Sequence, residues 1–597
     1  MRTENGGVSW PTLILLLLSP IWCLAIFARG AWTPDEPREY DITVNMLHDG
    51  DYAIPHLAGE PFLEKPPLLY WAGTTLMRVT GVSITAARAQ NLVWCLIVCL
   101  SVGALVGSML PETYSRRERT VASLASALCA GTMVLPFQVA IWYATDAPLL
   151  AATALAWLSA WSVAHTAGLR ERLEWYLVFA AALTMAFFAK NLFGWVTPGA
   201  GLIAWLLWDR RWRILKERDL YVALLIVAAL VALWIWNVAQ RDAGAHDLIV
   251  LLRDNTLGRF TSDTSASGYE FGHRSHPLKF LALLPVFALP WTCCVVAALR
   301  WSWRELRQRS AHTSAIRFCL CAFAAGVVTL MLSATARDTY FAPSMLALCP
   351  LVGLWAVHAQ ALTADRGLLR IHRVLLLTAS AVLVAVGLLI AYSEPSAWTL
   401  QRIVIALVAL GVCGVGWWMT RSYFEGMPAF VHVPTWLAAL LLVEVLAFPV
   451  LDASQNLPAL ADDIRADIGA TPTVMYCADE TTRAMLDATA NLRLTNVCGD
   501  TQVQALLGRN PDQRFLVQTG VVRLSSRAET MLNFLKIASR VHQRDRHAPS
   551  VALESLGLRP QVEWSTPGGR SYGLYSQPLK QAREPVAATA TESASSH

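Results

Sequence analysis

The sequence predicts an α-helical polytopic membrane protein with about thirteen transmembrane helices, followed by a soluble α/β domain. Of the 597 residues, 55% are apolar and only 15% charged, with a mean hydropathy of +0.42. Apolar windows long enough to cross a bilayer, roughly 20 residues at about 1.5 Å each against a hydrocarbon core of about 30 Å, recur down to about residue 451. Beyond Asp452 the pattern changes to short alternating strands and helices.

The first apolar run, Leu13 to Phe27, follows Arg2 and precedes Ala28-Arg29-Gly30-Ala31. With a dozen further spans behind it, it reads as an uncleaved first helix and not as a signal peptide. The formal charge of +5 is dispersed in short clusters between spans, a topology signal and not a nucleic-acid surface. With a cytoplasmic N-terminus, even-numbered connections should be basic: Arg116, Arg117 and Arg119 follow span two, and Arg170 and Arg172 span four. Arg210, Arg211, Arg213, Lys216 and Arg218 follow span six, Arg304, Arg307 and Arg309 span eight, and Arg366, Arg370 and Arg373 span ten. The odd connections hold the conspicuous acids and histidines and are expected to converge on the periplasmic face. They are residues 29–84, the Asp146 turn, the Lys190 turn, residues 240–276 and the turn from Arg337 to Tyr340.

The membrane domain is therefore read as residues 1–451, with periplasmic loops at 29–84 and 240–276. A periplasmic α/β domain is read over 452–580, since an odd number of spans leaves it outside. In it TPTVMYC, LTNVC, RFLVQTGVV and GGRSYGLYS read as strands and Thr481 to Leu492 as a helix. Cys477 and Cys498 end the first two strands, where parallel neighbours would approach each other in an oxidising compartment; whether they join is left open. Most of the other cysteines, Cys95, Cys99, Cys129, Cys319 and Cys321 among them, lie within apolar stretches and read as small hydrophobes. Residues 581–597 offer little to bury and are expected to be disordered.

The first long loop carries Asp35-Glu36-Pro37-Arg38 beside a span, and returns to the membrane through Leu63-Glu64-Lys65-Pro66-Pro67. Taken alone, Asp35 and Glu36 read as carboxylates at the N-terminus of an amphipathic helix from about Pro37 to Leu47. A lysine at a membrane re-entry point, however, can meet a lipid phosphate. The DExR element, the glycine-bounded segment after it, and EKPP followed by an aromatic pair resemble the aminoarabinose and protein-mannosyl transferase superfamily of the GT-C membrane fold. The resemblance covers roughly residues 10 to 350 and extends to Thr145-Asp146-Ala147-Pro148. Phe188-Ala189-Lys190-Asn191 resembles the family's lysine turn but lacks its glycine, and Arg337-Asp338-Thr339-Tyr340-Phe341-Ala342-Pro343 resembles a K/R-x-x-Y-x-x-P element. Arg259-Phe260 and the stretch from His273 to Pro277 are similar to further family segments, with His-to-Pro spacing one residue off the common pattern. The family's tyrosine falls where this chain has Glu39, one position before Tyr40.

The resemblance implies an inverting glycosyltransferase of a bacterial inner membrane. It would move a sugar from a polyprenyl-phosphate donor to lipid A, another envelope glycan or a protein. Asp35, Asp146 and Glu36 are the expected catalytic acids. Lys65, Lys190, Arg337 and Tyr340 are the expected donor-phosphate ligands, where cations offset charge growing on the leaving group. Arg38 and Arg259 would support them, and Glu64 with His273 or His276 would hold one divalent metal ion (Zn, Mg or Mn). No Gly-rich phosphate loop or nucleotide fingerprint is present, which fits a lipid-borne donor better than a nucleotide sugar, and the dispersed positive charge leaves no nucleic acid expected as a partner. A transporter or flippase of polyprenyl-linked sugars is the rival from another class. It would string its charges along the spans, whereas here they gather in loops on one face.

Overall fold

The structure, a computed structural model, describes residues 9–241, 278–333, 336–358, 365–393, 433–455, 457–519, 549–565 and 570–578, with scattered positions between 244 and 253 and between 403 and 414. The chain forms two compact units, Met1–Ala453 and Ser454–His597.

The first unit is helical. Among the described residues eight helices are long and apolar enough to cross a membrane, or ten when each of two bent pairs counts as one span. The helix Leu169–Trp208 enters that count once, yet its 40 residues would reach about 60 Å, twice a hydrocarbon core. It breaks at Lys190 (φ −153°, ψ 40°) and Asn191 (φ 46°, ψ −139°). Its arms then lie side by side: Trp195 Nε1 donates to the Leu183 carbonyl at 2.9 Å, and a side chain on Gly194 would collide with the Ala186 carbonyl. The expectation of about thirteen spans also covers residues 394–432, most of which lie outside the described residues.

Burial sorts the spans. Within their most apolar windows Asp146–His165 is 83% and Asp338–Ala356 89% buried, against 17% for Arg366–Ala385. The first two are therefore the centre of the bundle. Small residues allow it: a Cβ on Gly353 would strike Ser126 and the Ala122 carbonyl, the close backbone approach that holds helices together where lipid supplies no hydrophobic drive.

The first loop begins with the helix Asp35–Asp49, two residues longer at each end than the sequence pattern suggests. Neither acid caps it: Pro34 is the N-cap residue and no side-chain cap bond forms. Gly50, at φ +71°, closes it in the left-handed conformation that glycine adopts without strain. A two-residue turn, Ala58-Gly59, then joins β1 (His56–Leu57) to β2 (Glu60–Pro61), and buried Asp41 accepts the Ala58 amide at 2.7 Å. This hairpin returns the chain to Lys65 and the helix Leu68–Thr80.

The second unit carries a five-stranded sheet ordered β4-β3-β5-β7-β6, from β3 (Thr473–Tyr476), β4 (Asn496–Val497), β5 (Arg514–Gln518), β6 (Arg559–Ser565) and β7 (Ser571–Ser576). The first three strands are parallel and the last two antiparallel. β6 was not expected: it is an edge strand exposed along most of its length, so it lacks the apolar alternation that marks a strand. The helices Leu457–Ile468 and Asp500–Arg509 likewise go beyond the sequence reading. The expected tail, 581–597, lies outside the described residues. Cys477 and Cys498 are joined in a disulfide. Residues 21 apart are thereby closed into a loop, a cross-link worth about 3 kcal/mol by chain entropy. Replacing both cysteines with serine should make this unit more susceptible to limited proteolysis, with the membrane unit's thermal transition unchanged.

Candidate active site

The site is built on one buried carboxylate. Glu36 is fully buried and engages Arg29 through both oxygens, with Arg29 Nη2 donating to Oε1 at 2.9 Å. Arg88 Nη2 donates to it at 3.1 Å, the Trp32 amide at 2.9 Å and the Tyr143 amide at 2.9 Å. Burial pushes its pKa up, but Arg88 and Arg29 outweigh this and hold it below the ordinary value. Glu36, expected among the catalytic acids, has no oxygen open to a substrate. It ties the first loop to the segments carrying Arg88 and Tyr143, because a carboxylate without water needs every lone pair answered.

Neighbouring Asp35 points the other way. Arg337 Nη1 donates to its Oδ1 at 3.0 Å, and Arg38 pairs with the same oxygen. Asp35 is 22% exposed. Burial raises its pKa, but Lys65, Arg337 and Arg38 together bring it down to about 2. Burial opposes the charge on Arg337 as well, and Asp35 outweighs it to raise the guanidinium pKa.

Lys65 Nζ donates to Glu39 Oε1 at 2.5 Å, and the Tyr70 hydroxyl takes the other oxygen at 2.6 Å. Burial disfavours the lysine's charge, yet Glu39 and Glu64 keep it protonated far above neutrality. Glu39 and Tyr70 were missed in the sequence. The available signal was spacing: Glu39 stands one turn after Asp35, on the same helix face.

The third cluster forms at the broken hairpin. Lys190 donates to Asp146, the first residue of the central span, and its Nζ lies 3.7 Å from the centroid of the Tyr340 ring. The Tyr340 amide bonds the Arg337 carbonyl at 3.2 Å, which joins this cluster to Asp35. The residue after Lys190 occupies a φ of +46°. With ψ at −139° it lies outside the left-handed helical region, in a conformation that glycine adopts far more readily than other residues.

The structure thus brings Asp35, Arg38, Lys65, Asp146, Lys190, Arg337 and Tyr340 into one connected set at one end of the spans. Arg259, His273 and His276 lie outside the described residues. Among the described residues no group of three or more His, Cys, Asp or Glu could hold a metal; the expected set of Glu64 with His273 or His276 falls partly outside them.

Comparison with known proteins gives the same picture. Residues 64–236 match the family model of dolichyl-phosphate-mannose-protein mannosyltransferase. An undecaprenyl phosphate-alpha-4-amino-4-deoxy-L-arabinose arabinosyl transferase of Pseudomonas aeruginosa is 27% identical over 343 residues, 57% of this chain and 58% of that protein. The protein of the same name from Serratia proteamaculans is 25% identical over 362 residues, 60% of each chain. This chain therefore spans less than two thirds of the length of those relatives. The crystal structure of ArnT from Cupriavidus metallidurans bound to undecaprenyl phosphate superposes with a TM-score of 0.66 at 16% identity, over 96% of this chain and 98% of that one. This is a GT-C-fold membrane protein. Its sequence is similar to those aminoarabinose transferases at 25–27% identity.

Two outcomes follow from the geometry. Glu36→Ala strands two buried guanidinium groups and should cost about 3–5 kcal/mol, read as a fall in the detergent-solubilised melting temperature. Asp35, with its pKa lowered from 3.8 to about 2, contributes stability that is complete above the unfolded value and lost as pH falls through the folded one. Wild-type and Asp35→Asn melting temperatures should therefore converge as pH drops from about 4 toward 2.

Proposed function

We propose that this GT-C protein is an inverting glycosyltransferase of a bacterial inner membrane. It takes a sugar from a polyprenyl-phosphate carrier and passes it to an acceptor on the periplasmic side, with lipid A the favoured acceptor. The observation that carries this is the convergence of three cations, Lys65, Lys190 and Arg337, on one end of the bundle. Each is held by its own acid: Glu39, Asp146 and Asp35. In that arrangement a lipid-linked phosphate entering from the bilayer finds charged donors already ordered, and it need only exchange partners with them. The disulfide of the second unit supports an oxidising, periplasmic location for that unit.

In the reaction the anomeric C–O bond breaks toward the carrier phosphate, and an acceptor oxygen attacks from the opposite face. Lys65 and Arg337 stabilise the negative charge that collects on the phosphate oxygens. Tyr340, under the Lys190 ammonium, limits where that lysine can reach. Asp146, bound to Lys190, faces the sugar from the side of the central span and favours positive character at the anomeric carbon.

Asp35 distinguishes between acceptors. A carboxylate with a pKa of about 2 is a feeble base, and general-base catalysis works best when that value lies near the working pH. It therefore suits an acceptor that arrives ionised, as a lipid A phosphate does, and its work is to orient that acceptor by accepting hydrogen bonds from hydroxyl or N–H groups beside the phosphate. A hydroxyl acceptor on a protein would need a stronger base.

The test is transfer by the detergent-purified chain from radiolabelled polyprenyl-phosphate sugars, 4-amino-4-deoxy-L-arabinose included, to lipid A, short glycans and peptides. Asp35→Asn and Lys65→Ala should each lower kcat/KM by about 10²-fold or more. Lys65→Ala should also weaken donor binding, whereas Asp35→Asn should not. Movement of the donor between leaflets without transfer would refute the enzyme reading in favour of a flippase.

A further inference from the structure

The turn that delivers Asp35 is held from an unexpected quarter. Residues 28–34 join the first span to the helix Asp35–Asp49, and their contacts fall on opposite sides of one peptide. Arg88 Nη2 donates to the Gly30 carbonyl at 2.7 Å. The Gly30 amide donates at 2.6 Å to Asp452 Oδ1, and the same oxygen accepts the Trp32 indole N–H at 3.1 Å. Asp452 belongs to the last helix of the membrane unit, Val433–Ser454, more than 400 residues away in sequence. One turn earlier on that helix, Phe448 packs edge-on against the Trp32 ring at 4.9 Å. The other face of the turn is closed by Arg29, whose guanidinium lies 4.4 Å from the Trp32 ring and 5.1 Å from that of Trp142. The Trp32 amide in turn donates to Glu36, the residue beside Asp35. A side chain on Gly30 would approach Asp452 Oδ1 to 3.0 Å, so a larger residue there would press on the contact.

We propose that Asp452 is a positioning residue for Asp35. By fixing Gly30 and Trp32, the last helix of the membrane unit sets the angle at which the first-loop helix presents its catalytic carboxylate. The inference rests on the role proposed above for Asp35. Asp452 also favours the charge on nearby Arg88, but for holding the turn it needs only an acceptor oxygen, since both of its hydrogen-bond partners are neutral N–H donors. Asparagine can supply that oxygen and leucine cannot.

The test compares Asp452→Leu, Asp452→Asn and Trp32→Phe, the last deleting only the indole donor. Asp452→Leu should lower kcat about 10- to 100-fold, as a sub-ångström to ångström misplacement does, with the donor KM within about twofold of wild type. Asp452→Asn should recover kcat to within about threefold, and Trp32→Phe should give a loss between the two. In an Asp35→Asn background Asp452→Leu should add almost nothing, because residues acting through one group are non-additive. Hydrogen–deuterium exchange of residues 29–40 should rise in Asp452→Leu and return in Asp452→Asn. That readout is independent of turnover, so failure of every sugar donor would remove the enzyme reading and still leave the turn's attachment decided. Additive kinetic losses, equal loss in leucine and asparagine variants, or unchanged exchange over 29–40 would overturn the proposal. Should Asp452→Leu not yield folded protein, Trp32→Phe against wild type decides the matter by the same readouts.

Discussion

The site depends on a carboxylate that does no chemistry. Glu36 is cut off from water and answered by two arginines and two backbone amides. Leaving any one of these groups unpaired in a low-dielectric interior would cost several kcal/mol, so the four elements that supply them cannot drift independently. Arg29 ends the first span, Arg88 opens the second, Trp32 belongs to the turn between span and first-loop helix, and Tyr143 precedes the central span. Asp35 inherits this rigidity by being next in the chain. One turn of helix places adjacent residues about 100° apart, so a Glu36 pinned inward leaves Asp35 facing the cations.

The same geometry marks where sequence reasoning succeeds and where it stops. Hydropathy makes the spans legible because lipid tolerates only helices whose backbone bonds are internal. The acids and bases at span ends stand out for the same reason, since a charge there needs a partner. Partner identity is another matter. Lys65 was legible as a cation at a membrane boundary, but Glu39, which accepts from both Lys65 and Tyr70, joins residues up to 31 apart in sequence through a helix register that no local pattern reveals. Asp35 and Glu36 read alike in the sequence, and only tertiary packing separates the open carboxylate from the buried one. Arg88 sits in a short helix with no acid nearby in sequence, so its function as a counter-ion to Glu36 is visible only after folding. β6 escaped because an exposed edge strand carries no apolar alternation, and the Cys477–Cys498 bond followed from register, with Met475 beside Asn496 and Tyr476 beside Val497.

The pairing of each of the three candidate phosphate-binding cations with an acid bears on how an anionic donor is accepted. Lys65, Lys190 and Arg337 are partly buried, and three uncompensated cations there would repel one another and lower one another's charge. Glu39, Asp146 and Asp35 remove that penalty while the site waits. Lysine has three N–H donors and arginine five, so on the proposed reading a phosphate exchanges some of those donors away from the acids without stripping the cations of every partner. The acids then keep the cations aimed, and the phosphate meets geometry that is already set.

This has a consequence for Asp35. Its low pKa comes from three cations, and a bound phosphate draws charge from two of them, Lys65 and Arg337. On the proposed reading, donor binding therefore moves the Asp35 carboxyl back toward its ordinary value, because the cations that favour its ionised form now share that charge with the phosphate. The carboxylate becomes a better hydrogen-bond acceptor at the moment an acceptor substrate must be oriented. Donor binding and the state of the Asp35 carboxyl are then linked, in both directions, through the charge network itself.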